Sequence, residues 1–378
     1  MEAASPRHDL LDDFGHGDAR EREESWRYSK AALRALSQQE FVAADAQAEL
    51  PEALLERFDW APTRGRRVVV VNGEVSERYS DLADVGAWVT VGVSAGNAYS
   101  IRIDGGIDAP MHVVYVGVPS AQPSRWQASV EVSIVGGHAC VVEQHLGVEG
   151  ATVLGSLRRR FDLAERTRLD LVSLCDLPES AALYRFVEAN LGAKAALRTT
   201  HVLLGGRLQR LDMQVRLAGE QARLESRGVF ALRGRAHADT QLDVRHVARD
   251  TVCDVVWRGV ADQRARAVFR GAITVAAGAD GSDAKLSNKN LLLSPHAEID
   301  TQPVLEIYAD EVKAAHGATV GQIDERALFY LRSRGIALAE ARRMMVAAFC
   351  REVLDGVEDA DLRERLAQPV QAMLPTAS

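Results

Sequence analysis

The chain has 378 residues, 47% of them apolar and 26% charged, with a formal net charge of −8. That apolar content can offset ordering entropy, which excludes a largely disordered chain, and the length allows two or three structural units. The acidic balance argues against a general binder of nucleic acid or of anionic membranes, and the sequence holds no apolar stretch of about 20 residues to cross a bilayer.

Residues 1–24 form an acidic tail rich in Asp, Glu, His and Gly, without the apolar run of a secretory signal. The cysteines Cys140, Cys175, Cys253 and Cys350 are scattered, with no CxxC pair. Few thiols and no leader predict a soluble chain in the reducing cytoplasm.

Residues 25–65 show helical spacing in three pieces: Ala31, Leu33 and Leu36; then Phe41 and Ala44; then Leu54, Leu55 and Phe58 behind a first-turn Pro51. From 66 to 321 the pattern changes to short β-rich runs at Val68–Val71, Ala87–Val93, Met111–Val118, Ser129–Val135, Ala139–Glu143, Leu211–Leu217, Val252–Trp257, Ala267–Val275 and Leu291–Leu293. Glycine, Asp and Asn separate them, and Val130 to Ile134 alternates apolar with polar as a half-buried strand does. Helical spacing is scarce here, with Glu179 to Leu191 the main exception. A sandwich, a barrel or a stacked solenoid would each close the edges of so many strands. Irregular spacing of the runs gives no exact repeat to choose between them.

Residues 322–378 return to helical spacing. Ala327, Leu328 and Leu331 form one stripe, closed by Gly335 as a C′ glycine. A second stripe holds Leu338, Ala341, Met344, Met345, Ala348, Phe349 and Val353. A third segment, Ala360 to Met373, is interrupted by Pro369.

Few residues carry a chemical signature. None of the five lysines follows a glycine, so the Walker A motif is absent and a P-loop nucleotide site would belong to another chain. Gly92-Val93-Ser94-Ala95-Gly96 matches GxSxG, but β-like residues follow where a nucleophile elbow needs a helix, so it reads as an ordinary turn. His237 and His246, with Asp239, Asp243, Asp250 and Asp254, could ligate a metal, yet they lack tight ligand spacing and read as solvated loop residues. Cys140, Cys175 and Cys253 read as buried structural thiols and Cys350 as helix core. His316 lies among small residues where the β zone meets the helices, which leaves an imidazole accessible to another chain.

The run from Asn288-Lys289-Asn290-Leu291-Leu292-Leu293-Ser294 through Leu305-Glu306-Ile307-Tyr308-Ala309-Asp310-Glu311-Val312-Lys313 and His316-Gly317-Ala318-Thr319-Val320-Gly321 to Leu328-Phe329-Tyr330-Leu331-Arg332-Ser333-Arg334-Gly335-Ile336 closely resembles the SufD family of the SUF iron–sulfur cluster assembly system. Weaker similarity reaches back through Gly205-Gly206, Arg210, Ala218-Gly219-Glu220, His237 and His246; the first 200 residues share only the general layout. The resemblance implies a mainly β fold, a right-handed parallel β-helix flanked by N-terminal and C-terminal helical regions. It implies a scaffold and no enzyme, pairing with a SufB homologue through the β-helix and docking the SufC ATPase on C-terminal helices that hold Leu328, Phe329, Tyr330, Leu331, Arg334, Gly335, Met344 and Phe349. His316 falls on the family's histidine and is the expected metal ligand for iron or a nascent cluster at the SufB interface. No cofactor is expected on the isolated chain; a flavin in the assembled complex and a homodimer of the chain alone are further expectations. Many relatives carry cysteine at the position of Ala314, and an arginine–asparagine pair where this chain has Arg210-Leu211.

Two rival readings remain. A polysaccharide-active β-helix enzyme would need clustered catalytic charges and aromatic platforms, whereas only 6% of residues are aromatic. SufB itself would carry a cysteine near His316, and this chain does not.

Overall fold

A computed structural model describes residues 23–61, 65–86, 89–94, 97–106 and 109–373. All but the last two residues of the expected acidic tail fall outside that set. Two sheets of ten strands each face one another. In the first, Val89–Val93 pairs antiparallel with Ala98–Ile103; Ser124–Ile134, Val153–Leu163, Ala181–Leu191, Leu208–Leu217, His237–His246, Arg266–Val275 and Glu298–Ile307 then follow in parallel, and Val42–Ala43 pairs with Ser124–Ile134 at one side. In the second, the order is Glu74–Val75, Arg67–Val71, Met111–Gly117, His138–Gly147, Arg168–Leu177, Ala196–Gly205, Arg223–Leu232, Val252–Ala261, Asp283–Leu292 and Lys313–Gly321. The chain alternates between the sheets, each strand joining the one laid down a turn earlier. This is a parallel β-solenoid, the β-helix that the resemblance implies.

From Ala98 onward, paired positions in successive turns lie between 26 residues apart, as for Ala182 and Leu208, and 32 apart, as for Ala267 and Ile299. A ladder needs register within the strands only, so the corners vary in length and no exact repeat survives in the sequence. Inward-facing side chains form one continuous core from Val68 to Ile299. Strands with a free outer face alternate strictly, as Ser124–Ile134 does. Strands covered on both faces do not. Ala181–Leu191 is such a strand: Leu183 and Val187 face the lumen while Ala182, Tyr184 and Phe186 pack under Trp26, Leu33 and Leu36. Its near-continuous apolar run gave the helical spacing expected for Glu179 to Leu191, but the segment is a strand: burial on both sides erases period two.

The flanks are helical. Helix α1 (Lys30–Ser37) covers the first sheet, and α2 (Glu52–Leu55), with the 3₁₀ turn Glu56–Trp60, covers the start of the second. Between them Phe41 and Ala44 flank the short strand Val42–Ala43 and not a helix, and Pro51 is the N-cap of α2, one residue before its first turn. Helices α3 (Glu325–Ser333), α4 (Leu338–Leu354) and α5 (Ala360–Met373) follow the last strand. Gly335, at φ +87°, ends α3 as expected. In α4 the buried face is Ala341, Val346, Cys350, Val353 and Leu354; Leu338, Met344 and Ala348 of the expected stripe are exposed. Helix α5 runs through Pro369 without interruption.

Helices α4 and α5 turn back along the outer wall of the second sheet, where Val346, Cys350, Leu354, Leu362 and Leu366 meet Val172, Val202, Val229 and Val260. Arg258, buried in that wall, donates from Nε and Nη2 to Glu352 at 2.9 and 2.8 Å. Farther along, the Trp60 indole donates to the Arg365 carbonyl at 3.0 Å, and Arg365 Nη1 donates back to the carbonyls of Asp59 and Trp60. The C-terminal helices therefore clasp the N-terminal region.

Candidate functional site

The solenoid stops without a cap. Glu298–Ile307 and Lys313–Gly321 are the last strands of their sheets, and each pairs on one side only. His316 lies in the middle of the latter strand, directly beyond Leu286 of the preceding turn. Leu286 is buried in the lumen, and parallel register keeps stacked residues on the same face, so His316 continues an inward-facing column. No strand lies beyond it, and the imidazole is exposed. It lies on the last strand before the helices, where it forms the end of an interior column.

The same geometry places Ala314, Ala318 and Val320 beside it on one wall, with Leu305 and Ile307 on the facing wall, continuing the columns of Ile273 and Val275. Val320 and Ile307 are each 42% exposed. Beneath them a polar layer closes the lumen: Thr301 Oγ1 donates to Asn288 Oδ1 at 2.8 Å, and Asn290 Nδ2 donates to the Thr319 carbonyl at 3.0 Å. A Cβ added at Gly317 would meet nothing within 4 Å. The end is thus an open, largely apolar face with unpaired backbone edges and one imidazole.

Among the described residues no group of three or more His, Cys, Asp or Glu stands close enough to hold a metal ion. His316 can supply one nitrogen ligand, and Ala314 supplies none. The cysteines give no thiolate either. Burial pushes the Cys175 thiol up to about 11 and those of Cys140, Cys253 and Cys350 to about 12. Cys140 is half-buried, the other three fully so.

The second histidine cluster resolves differently. His237 and His246 are not loop residues but the two ends of strand His237–His246. Asp239 takes a hydrogen bond from Arg210 Nη1 at 2.8 Å and another from Ser29 Oγ, which lies 3.0 Å from His237 Nε2. The Arg210 guanidinium sits 4.0 Å from the Trp26 ring. His246 Nδ1 bonds Thr251 Oγ1 at 2.8 Å, and Asp254 pairs with Arg227. Ser29, Trp26, Arg210, His237 and Asp239 thus fasten the N-terminal segment to the first sheet. Ser94 lies in a hairpin whose second strand is Ala98–Ile103, so the elbow reading stays rejected; Ala95 and Gly96 lie outside the described residues.

Of the residues expected on the docking helices, Phe329 and Tyr330 are 72% and 58% exposed, and Arg334, Gly335 and Met344 are exposed. Leu328 is buried, Leu331 and Phe349 are half-buried, and the Phe349 ring lies 5.9 Å from the Arg258 guanidinium. Leu328 and Phe349 therefore hold the helices in place. Arg334 Nη2 donates to the Tyr330 hydroxyl at 3.3 Å.

A groove of about 640 Å³ runs down the outer face of the first sheet, lined by Gln241, Asp243, Arg245, Arg270, Gln302 and Glu306 among others, with no aromatic side chain among its described lining residues. It lacks the stacking platforms a polysaccharide site would need. No helix of the described residues is long and apolar enough to cross a membrane.

Residues 129–349 match the family model described as the SUF system FeS cluster assembly SufBD core domain. The match begins well before the run of residues that carried the resemblance. Over 242 residues the chain is 33% identical to the iron–sulfur cluster assembly protein SufD of Escherichia coli (strain K12), covering 64% of this chain and 57% of that protein. It is 32% identical over 243 residues to an iron–sulfur cluster assembly SufBD family protein of Mycobacterium tuberculosis (62% of this chain, 60% of that protein), and 36% identical over 179 residues to one of Synechocystis (47% and 40%). The chain thus spans between 40% and 60% of the length of these relatives.

Proposed function

The chain belongs to the SufBD core family of the SUF iron–sulfur cluster assembly system, and we propose that it works there, in the cytoplasm, as a scaffold subunit without turnover of its own. Its open end pairs with a SufB homologue, and α3 with the start of α4 docks the SufC ATPase. Iron or a nascent cluster is cargo held between the two scaffolds, with His316 as this chain's ligand.

One observation carries the reading: the only accessible imidazole on an inward-facing column among the described residues stands on the uncapped turn, beside apolar residues and unpaired strand edges. Such an edge pairs with another chain unless something covers it. A single ligand cannot hold iron alone, and the buried thiols cannot help, so the remaining ligands come from the partner. The exposed Phe329, Tyr330 and Met344 give an ATPase an aromatic and thioether surface of the kind that anchors interfaces.

The test is co-expression with the SufB and SufC homologues, followed by iron and sulfide analysis. We expect His316→Ala to leave the complex intact and to lower iron and sulfide at least several-fold. Phe329→Ala with Tyr330→Ala should release SufC while SufB stays bound. Full iron loading with His316→Ala would remove the histidine from the reading; failure of the wild-type chain to capture a SufB homologue would end it.

A further inference from the structure

The lumen is not apolar throughout. Midway along it, Glu143 and His145 of strand His138–Gly147 are followed in the next turn by Ser173 and Cys175, and then by His201 beyond Ser173. From the opposite sheet Arg159 and Arg185 point in, stacked among Val130, Val187, Leu157 and Leu211. Both arginines are 0% exposed.

Their charges do not balance. Arg159 Nη1 donates to Glu143 Oε2, and His145 Nε2 lies 3.6 Å from the same oxygen. Burial alone would raise the Glu143 carboxyl, but Arg159 and His145 bring it down to about 2, so it is ionised and already matched. Burial lowers His145 and His201 to about 3 and keeps both neutral. Arg185 is left over. Its one hydrogen bond is a long one, Nη1 to Ser173 Oγ at 3.4 Å. The only other buried carboxylates among the described residues, Asp212 and Asp239, lie on the outer face and belong to Arg210.

The hydrogen-bond account shows the same deficit. Nε and Nη2 of Arg185, Nε and Nη2 of Arg159, and both ring nitrogens of His201 have no partner, and His145 has only its long approach to Glu143. Guanidinium nitrogens are donors only, so what they lack is an acceptor. An isolated cation sealed away from water costs far more than folding can spare, and a carboxylate that could answer it is absent from the lumen. Water would satisfy the donors and leave the charge; a small anion satisfies both.

We propose that the lumen of the folded chain binds one small inorganic anion of the halide class against the Arg185 guanidinium, with Arg159 and His201 as further N–H donors around it. The site lies several turns from the open end and does not depend on the assembly function proposed above. Its occupant enters during folding, since packed strands surround it on both walls, and it acts as an internal counterion that lets a solenoid keep charge in its core.

The test uses the full chain refolded from urea in bromide or in gluconate at equal ionic strength, then desalted. We expect close to one bromide retained per chain, and a melting temperature several degrees higher than in gluconate. Arg185→Met, which removes the surplus charge, should retain no bromide and melt alike in both salts. Crystals of the native chain grown from a chloride medium, measured by long-wavelength anomalous scattering, give a second readout that does not rely on refolding. A peak within hydrogen-bond reach of Arg185 is expected there. Ordinary water at that place, no bromide above background in the wild-type chain, or equal retention by Arg185→Met would each overturn the proposal.

Discussion

Four histidines, His112, His145, His201 and His246, are sealed in the protein without charge, the first three lowered to about 3 and His246 to about 4, mainly by burial. In the unfolded chain an imidazole takes a proton below about 6.5. Between these values the unfolded state holds more protons than the folded one, so stability is complete above 6.5 and drains away as the pH falls toward 3. Each histidine costs about 1.4 kcal/mol per pH unit inside that window. Asp212 works the other way: burial pushes it up to about 6 against the pull of Arg210, so the folded state holds the extra proton between there and the carboxylate range and recovers part of the loss. We expect the melting temperature to drop steadily from pH 7 to pH 5, and His201→Phe, which keeps a ring against Trp257, to flatten that slope in part; an unchanged slope would count against the assignment. His316 could be singled out from the sequence because its small neighbours and motif are local. The ionic lumen could not. Arg158, Arg159 and Arg160 are consecutive, and only strand register turns the middle one inward.

At the scale of elements, the second sheet and α4 depend on each other. Arg258 is 2% exposed and its charge is met by Glu352 across the contact. Arg258→Ala should lower stability by about 2 kcal/mol, the worth of a charge-assisted pair with one partner buried, as read by urea denaturation. Glu352→Gln keeps a hydrogen-bond acceptor and should cost less than half of that. The corners show what the sequence hid. Arg166, Lys194, Gln221 and Asp250 all adopt positive φ, near +58°, and each precedes a buried small residue, Thr167, Ala195, Ala222 or Thr251. In each the amide of that small residue bonds the carbonyl three positions back or its hydroxyl does the same. This is a repeat of conformation carried by Arg, Lys, Gln and Asp alike, residues that do not announce the left-handed region as glycine would. Ser129–Val135 was legible because its outer face meets solvent, and Val68–Val71 and Met111–Val118 because they are unbroken valine-rich runs. Ala181–Leu191 and Arg168–Leu177, covered on the outer face and mixing polar with apolar residues, were lost.

For the whole molecule, the asymmetry between its two ends matters most. At the N-terminal end Val75, Leu82 and Val85 pack against the lumen core, whereas the far end leaves Val320, Ile307 and Tyr308 uncovered. In the absence of partners we expect the chain to self-associate through this end, and Ile307→Asp with Val320→Asp to render it monomeric in light scattering with its melting temperature within a degree or two of the parent. A monomeric wild-type chain would assign the exposed end to a different partner geometry. That the chain is a solenoid followed from the resemblance and not from periodicity, because turn lengths between 26 and 32 residues blur any period.

A stack of turns in which each touches only its neighbours is a one-dimensional lattice, and such lattices fray, shedding terminal units one after another at little cost apiece. The return path of α4 and α5 changes the dimensionality of the problem. By lying across strands from Arg168–Leu177 to Val260 and fastening to Trp60, the helices couple turns that are not adjacent. Loosening any one of them loosens the brace shared by the others, so this wall of the column melts in a single cooperative event instead of unravelling from an end.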